Sequence, residues 1–292
     1  MTLPKKILAP TDFSPLAEVA VESAFALARR SQAHVHLLHV FAPVPQYEDA
    51  FGPMKIADVL ESERSAARAR LEHLAPEGIA FSCEIRQGFP SREIVLAAKS
   101  SKPDLIVIAT HGYGVVRRAL LGSVAASIVR HSDVPVLVVG EARKSTSFGH
   151  VVAAIDLSPV SNKVLDLARS YAAPGGKVTV VSVVEVPVPL LSGPLKELRS
   201  ELQPSIDARR KAIHDLAPLA HAEIVEMTSP AAGILDAAGA ADLVVIGTSG
   251  HNAWERAILG STATRVLSEA RCPVLVVPRA EAAGSDHHAR AT

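Results

Sequence analysis

Two stretches of the chain carry the same punctuation, and that repetition limits the folds open to it more than any other feature. Ile7-Leu8-Ala9-Pro10-Thr11-Asp12-Phe13-Ser14-Pro15 is echoed by Val151-Val152-Ala153-Ala154-Ile155-Asp156-Leu157-Ser158-Pro159. Asp12 and Asp156, Ser14 and Ser158, and Pro15 and Pro159 are each 144 positions apart. A later block repeats at 138: Asp104 and Asp242, Gly112 and Gly250, Gly122 and Gly260, Ser123 and Ser261, Pro135 and Pro273. Chance does not hold so many offsets constant. One unit has been duplicated, with a net loss of six residues somewhere in the middle of the second copy.

Within each copy, short apolar runs alternate with helical patterns. The runs are 6–10, 34–40, 79–85, 104–109 and 135–139, then 150–155, 177–184, 222–227, 242–247 and 273–278. Leu105-Ile106-Val107-Ile108 and Leu243-Val244-Val245-Ile246 are apolar without alternation, as strands covered on both faces should be. Leu16, Ala20, Ser23 and Leu27, and likewise Val160, Val164, Leu167 and Tyr171, recur at helical spacing. Ser14-Pro15 and Ser158-Pro159 read as N-cap and first-turn signals for those helices. The expected fold is therefore α/β: two tandem five-stranded parallel-sheet domains, helices on both faces, joined by right-handed crossovers. The expected boundaries are 1–142 and 148–280, with a polar linker near Glu141 to Phe148. The segment 281–292 has no apolar period and is expected to be a disordered tail. Segments 43–56 and 186–195, rich in Pro and Gly, are expected to be loops over the carboxyl edge of the sheet.

Composition narrows the function classes. The chain has 292 residues, enough for two cores, and is 48% hydrophobic and 21% charged, as soluble globular proteins are. Lys+Arg and Asp+Glu both total 30, so no basic surplus points to nucleic acid or an anionic membrane. No apolar stretch approaches the roughly 18 residues that span a bilayer, and residues 1–10 do not read as a signal peptide. Cys83 and Cys272 are too few for a disulfide framework and read as buried thiols. The expected setting is cytoplasmic.

The strongest chemical signal is Gly247-Thr248-Ser249-Gly250, nine residues, then Gly260-Ser261-Thr262, following an apolar strand and leading into a helix over 262–270. Glycines leave backbone N–H groups open to a ligand, and a helix start adds unpaired donors and a favourable dipole. Ser261 stands where an N-cap would, with a hydroxyl able to reach a phosphate oxygen. The same frame in the first copy reads Ala109-Thr110-His111-Gly112, nine residues, then Gly122-Ser123. Turn formation alone would also account for these glycines.

Taken with the Pro-Thr-Asp-Phe-Ser opening and the Pro-Val-Leu-Val-Val close, this pattern resembles the ATP-binding subgroup of the universal stress protein family, here in double-domain form. The family's motif is Gly, two residues, Gly, nine residues, Gly-Ser/Thr. The resemblance implies an adenine-nucleotide alpha hydrolase-like sheet in each half, with ATP at its carboxyl edge. ADP and AMP are alternatives, and Mg²⁺ is left open as an accompanying ion. In the first half the nucleotide-binding residues it implies are Pro10, Thr11, Asp12, Val40, Ala109, His111, Gly112, Gly122, Ser123 and Val124. In the second they are Ala154, Asp156, Val184, Gly247, Thr248, Gly250, Gly260, Ser261 and Thr262. Asp12 and Asp156 would stand near ribose and adenine, and Val40 and Val184 would offer backbone hydrogen bonds to the base. An Asp just after a strand also caps the turn that follows it, and the two roles are compatible. Ala109 departs from the motif's first glycine, so the second site is expected to bind at least as tightly as the first.

Other candidates are weaker. His34 and His36 share a strand face, but no third ligand stands at telling spacing, so no metal site is expected. Gly112-Tyr113-Gly114 begins like a dinucleotide fingerprint, yet Arg117 holds the third glycine's place. Arg118 and Arg256 read as solvated loop arginines, and Trp254 as a packing residue. No acid–base pair or Mg²⁺ carboxylate cluster flanks the glycine loops, so no catalytic residue is assigned and hydrolysis is expected to be slow or absent. The reading is a nucleotide-binding stress-response regulator with an unidentified protein partner; a slow ATPase and a scaffold with vestigial sites are the alternatives. In the family, single-domain members dimerise through the final strand. Here Val136-Leu137-Val138-Val139 and Val274-Leu275-Val276-Val277 are expected to pair antiparallel about a pseudo-two-fold axis, covering two apolar edges. Further homodimerisation is left open.

Overall fold

Each apolar run forms a strand. In the first half these are β1 (Lys6–Pro10), β2 (His34–Phe41), β3 (Phe81–Gln87), β4 (Leu105–Ala109) and β5 (Val136–Val139). In the second they are β6 (Phe148–Ala154), β7 (Ala172–Glu185), β8 (His221–Met227), β9 (Leu243–Gly247) and β10 (Val274–Val277). The helices between them are α1 (Pro15–Ser31), α2 (Pro53–Leu74), α3 (Pro90–Ser101) and α4 (Ser123–His131), then α5 (Ser161–Tyr171), α6 (Gln203–Leu216), α7 (Pro230–Ala237) and α8 (Ser261–Glu269). This computed structural model describes residues 3–41, 53–112, 121–140, 148–191, 200–218, 221–248 and 259–279. The proposed linker at 141–147, the tail at 281–292, residues 43–52 of the first Pro/Gly-rich segment and 192–195 of the second lie outside those residues.

Within each half the strands run parallel, and both faces of the sheet are buried. Ile7, Ala9, Leu105, Val107 and Leu137 point into one apolar layer, where α1, α2, α5 and α6 pack. Leu8, Ile106, Ile108, Val136 and Val138 point into the other, against α3, α4, α7 and α8. That two-sided burial is the physical reason the strand sequences do not alternate. The first-half stripe of Leu16, Ala20, Ser23 and Leu27 and its second-half counterpart are all buried, as their spacing requires.

The halves share one ten-stranded sheet in the order β3-β2-β1-β4-β5-β10-β9-β6-β7-β8. β5 and β10 meet antiparallel, pairing Val136 with Val276, Leu137 with Leu275 and Val138 with Val274. Leu137 and Leu275 are the same position of the repeat, so the pseudo-two-fold axis passes through that pair. A second bridge breaks the symmetry. Arg30, near the end of α1, donates to the carbonyls of Tyr171 (2.8 Å), Ser170 (3.3 Å) and Ala172 (2.6 Å) at the end of α5. A cation is favoured there because the last carbonyls of a helix lack partners and carry the negative end of its dipole.

Several details differ from the sequence reading. Ser14 does cap α1, with Pro15 in its first turn. Ser158 does not cap α5, which starts only at Ser161 after Val160. Instead the Ser158 carbonyl accepts from the Ser161 N–H at 2.9 Å. Lys6 pairs with His34 across β1–β2, whereas its repeat mate His150 pairs with Lys177 across β6–β7. One residue is thus missing before Lys177, and the structural mate of Val40 is Val183, not Val184. Val40 and Val183 accordingly pack against the same apolar layer. Within 186–195, Val188–Leu191 forms a helical turn, and Phe148, assigned to the linker, belongs to β6. Of the thiols, Cys272 is buried and Cys83 half-buried.

Candidate functional site

The turn after β1 is held by its own polar groups. Thr11 Oγ1 accepts from the Phe13 N–H (3.0 Å), Asp12 Oδ1 from the Ser14 N–H (3.0 Å) and Ser14 Oγ from the Ala17 N–H (3.2 Å). Phe13 is left-handed, φ 62°, as is Leu157 at φ 66° in the second half. A non-glycine residue there costs about 1–2 kcal/mol, and both copies retain it. Asp156 repeats the cap, accepting from the Ser158 N–H at 3.0 Å and the Ser161 hydroxyl at 3.4 Å. The capping role of both aspartates is therefore real.

The glycines after β4 work differently from the expectation that they bare donors. A Cβ on Gly112 would stand 2.0 Å from Asp12 Oδ2, so any side chain there would push that carboxylate out of the position it holds. The Gly122 N–H donates to the Thr110 carbonyl at 2.7 Å, and the Gly260 N–H to the Thr248 carbonyl at 2.9 Å. Neither amide is open to a phosphate. On Gly122 a Cβ would lie 3.0 Å from the Thr110 carbonyl oxygen, which explains that glycine as a close approach of two backbones. Gly122 and Gly260, not the serines after them, are the N-caps of α4 and α8, and they supply no side-chain acceptor. The amides of the following first turn, beginning at Ser123 and Ser261, are what each helix start presents.

Around the first-half turn these pieces enclose a cavity of about 230 Å³. Pro10, Thr11 and Asp12 line it from β1, Val40 and Leu38 from β2, and Ala109 and Ile108 from β4. His111, Gly112, Gly122, Ser123 and Val124 line it too, so all ten first-half residues implied by the resemblance come together. His111 Nδ1 lies 3.1 Å from Thr110 Oγ1, which restrains the ring. Leu38 and Ile108, with Ala17, Pro90, Ile94 and Ala125, line the cavity without having been expected from the sequence. The one available cue was Pro90, a first-turn proline placing the start of α3 near the carboxyl edge. In the second half Ala154, Asp156, Gly247, Thr248, Gly260, Ser261 and Thr262 occupy the matching strand ends and helix start. Ser249, Gly250, Trp254 and Arg256 lie outside the described residues, as do Arg117 and Arg118.

His34 and His36 are tied to the neighbouring strand. His34 Nε2 and His36 Nδ1 each lie 2.8 Å from Ser82 Oγ, and His36 Nε2 lies 2.8 Å from Glu84 Oε2. Burial and the neighbouring His36 lower the His34 pKa. No group of three metal-ligating side chains occurs among the described residues. No helix among them is long and apolar enough to cross a membrane.

A family model, the universal stress protein family, matches residues 4–140 and again 147–278. The chain belongs to that family, in tandem form. A universal stress protein of Mycolicibacterium smegmatis is 31% identical over 289 residues, covering 93% of this chain and 96% of the relative. One of Mycobacterium bovis is 27% identical over 302 residues, covering 92% and 94%. Among solved structures, a universal stress protein of Archaeoglobus fulgidus superposes with a TM-score of 0.65 at 21% identity, covering 94% of this chain and 98% of that one. A Pseudomonas aeruginosa structure described as a putative universal stress protein gives 0.66 at 19% identity. Both support the fold, in which the two repeats of this universal stress protein are the two halves of one sheet.

Proposed function

We propose that this universal stress protein binds an adenine nucleotide at the carboxyl edge of its sheet and acts as a regulatory module. The observation that carries the reading is the first-half cavity, where a carboxylate, two strand ends and the start of α4 converge. Leu38, Val40, Ile94 and Ile108 give it apolar walls suited to a purine, while Asp12 and His111 give it polar ones. The uncapped first turn of α4 suits phosphates, and Asp12 suits a ribose hydroxyl. ATP, ADP and AMP share these features. Mg²⁺ would accompany a triphosphate through the phosphates themselves, since no carboxylate cluster offers it a seat among the described residues. Occupancy would change the surface offered to a protein partner by favouring one arrangement of the surrounding loops.

Mass spectrometry of the nucleotide released on denaturing the purified protein, followed by calorimetry with that nucleotide, tests the reading. One nucleotide per occupied half is expected; no bound or bindable nucleotide leaves the scaffold reading. Hydrolysis is a separate matter. Turnover faster than about one per second, a low-end enzyme rate, would make the protein an ATPase.

A further inference from the structure

In each half an arginine from the second helix braces the turn that carries the site aspartate, directly in the first half and through a serine in the second. In the first half Arg70 of α2 stands over the Phe13 ring, 4.0 Å from its centroid. His39 also packs on that ring, at 4.5 Å between centroids, and His39 Nδ1 lies 2.8 Å from the Thr11 carbonyl oxygen. In the second half Arg209 of α6 donates to Ser182 Oγ at 2.8 Å, and that hydroxyl donates to the Ile155 carbonyl at 2.8 Å. The contacts differ in chemistry: a cation over an aromatic ring in one half, a hydrogen-bonded relay in the other. Their targets flank the aspartate from opposite sides: Arg70 braces Phe13, the left-handed residue after Asp12, and Arg209 braces, through Ser182, the carbonyl of Ile155 just before Asp156.

We propose that Arg70 and Arg209 are positioning residues for nucleotide binding, holding the strained turn so that its aspartate stays aimed at the ligand. The proposal rests on the adenine-nucleotide reading above. A left-handed Phe13 or Leu157 relaxes unless its surroundings prevent it, and relaxation would swing the adjoining carboxylate. In the first half that carboxylate is already oriented, with Oδ1 accepting from the Ser14 N–H and Oδ2 lying against the bare Cα of Gly112. Pinning the turn from behind keeps the carboxylate ordered before ligand arrives, and preorganisation of this kind raises affinity without a new contact to the ligand.

Calorimetric titration of the full chain with ATP tests the idea in Arg70→Gln, Arg209→Gln and the double variant, beside Arg70→Lys and Arg209→Lys. Each Gln variant is expected to weaken one equivalent of ATP about fivefold, the worth of one exposed cation–π contact in the first half and of one net hydrogen bond in the second, and the double variant both. The Lys variants, which keep a cation and a donor, should recover most of the loss. Melting temperatures should stay within about 2 °C of wild type, since Arg70 is exposed and Arg209 only half-buried. Unchanged isotherms, equal weakening of both equivalents by one substitution, or loss that tracks melting temperature and ignores Lys rescue would overturn the proposal. A wild-type chain that binds no nucleotide would instead overturn the underlying reading, and this proposal with it.

Discussion

Where the first half starts its long helix at Pro15 under a serine cap, the second delays it to Ser161, and α5 has 11 residues against 17 in α1. Where Thr11 supports the turn through its hydroxyl, the second half has Ile155, whose carbonyl is held instead by Ser182. Yet both keep the aspartate cap, the left-handed residue after it and a glycine N-cap bonded back to a threonine carbonyl. What the copies share is backbone geometry at the carboxyl edge, and what they vary is the side-chain support behind it.

The contrast can be broken most severely at the axis. Leu137 and Leu275 are 1% and 0% exposed, so Leu137→Asp would bury a carboxylate between the halves. The expected loss is at least about 4 kcal/mol, seen in urea denaturation as splitting or loss of a single transition. A variant as stable as wild type would mean the β5–β10 seam contributes little.

Gly112→Ala comes next, because its methyl and Asp12 Oδ2 cannot share one place. Nucleotide affinity at the first site should fall about ten- to hundredfold by calorimetry. The companion pair Gly122→Glu and Gly260→Glu ranks the sites. Tight binding is expected to survive Gly122→Glu, with Gly247 leaving the second site less crowded than Ala109 leaves the first. Abolition by Gly122→Glu alone reverses that ranking.

Arg30→Ala has an intermediate effect, about 1.5–3 kcal/mol by chemical denaturation, since three carbonyls at the end of α5 lose a charged donor. The reciprocal position offers no such contact, so the effect has no second-half counterpart. The smallest contrast is between two serines. Ser14→Ala should cost about 1 kcal/mol through the lost cap. Ser158→Ala should be neutral or slightly stabilising, because its buried hydroxyl has no partner among the described residues. Equal costs at both positions would erase the distinction drawn between the two helix starts.

Strand placement was readable from the residues because two-sided burial writes an uninterrupted apolar run, as Leu105 to Ile108 show. The polar and loop positions of the first-half lining were readable because the resemblance matched them residue by residue, whereas its apolar walls at Leu38, Ile94 and Ile108 carry no motif. What could not be read depends on distant partners. Gly122 looks like an open donor until the Thr110 carbonyl is seen beside it. Ser158 looks like a cap until α5 is seen to start three residues later. Val184 matched Val40 by a constant offset, and one residue lost before Lys177 moved the true mate to Val183. Arg70 and Arg209 carry no motif at all: each reaches the turn from a helix that follows it by dozens of residues.

The antiparallel seam at Leu137 and Leu275 has one more consequence. Were the halves separate polypeptides, their association would weaken on dilution and every substitution would appear on both sides of the axis at once. Joined in one chain, they meet at an effective concentration set by the connecting segment, whatever the abundance of the protein in the cell. The twofold constraint on sequence is also lifted, so one site can drift in affinity or partner preference while its neighbour stays as it was. On the nucleotide-binding reading proposed above, a single molecule can in this way hold two thresholds for the same ligand.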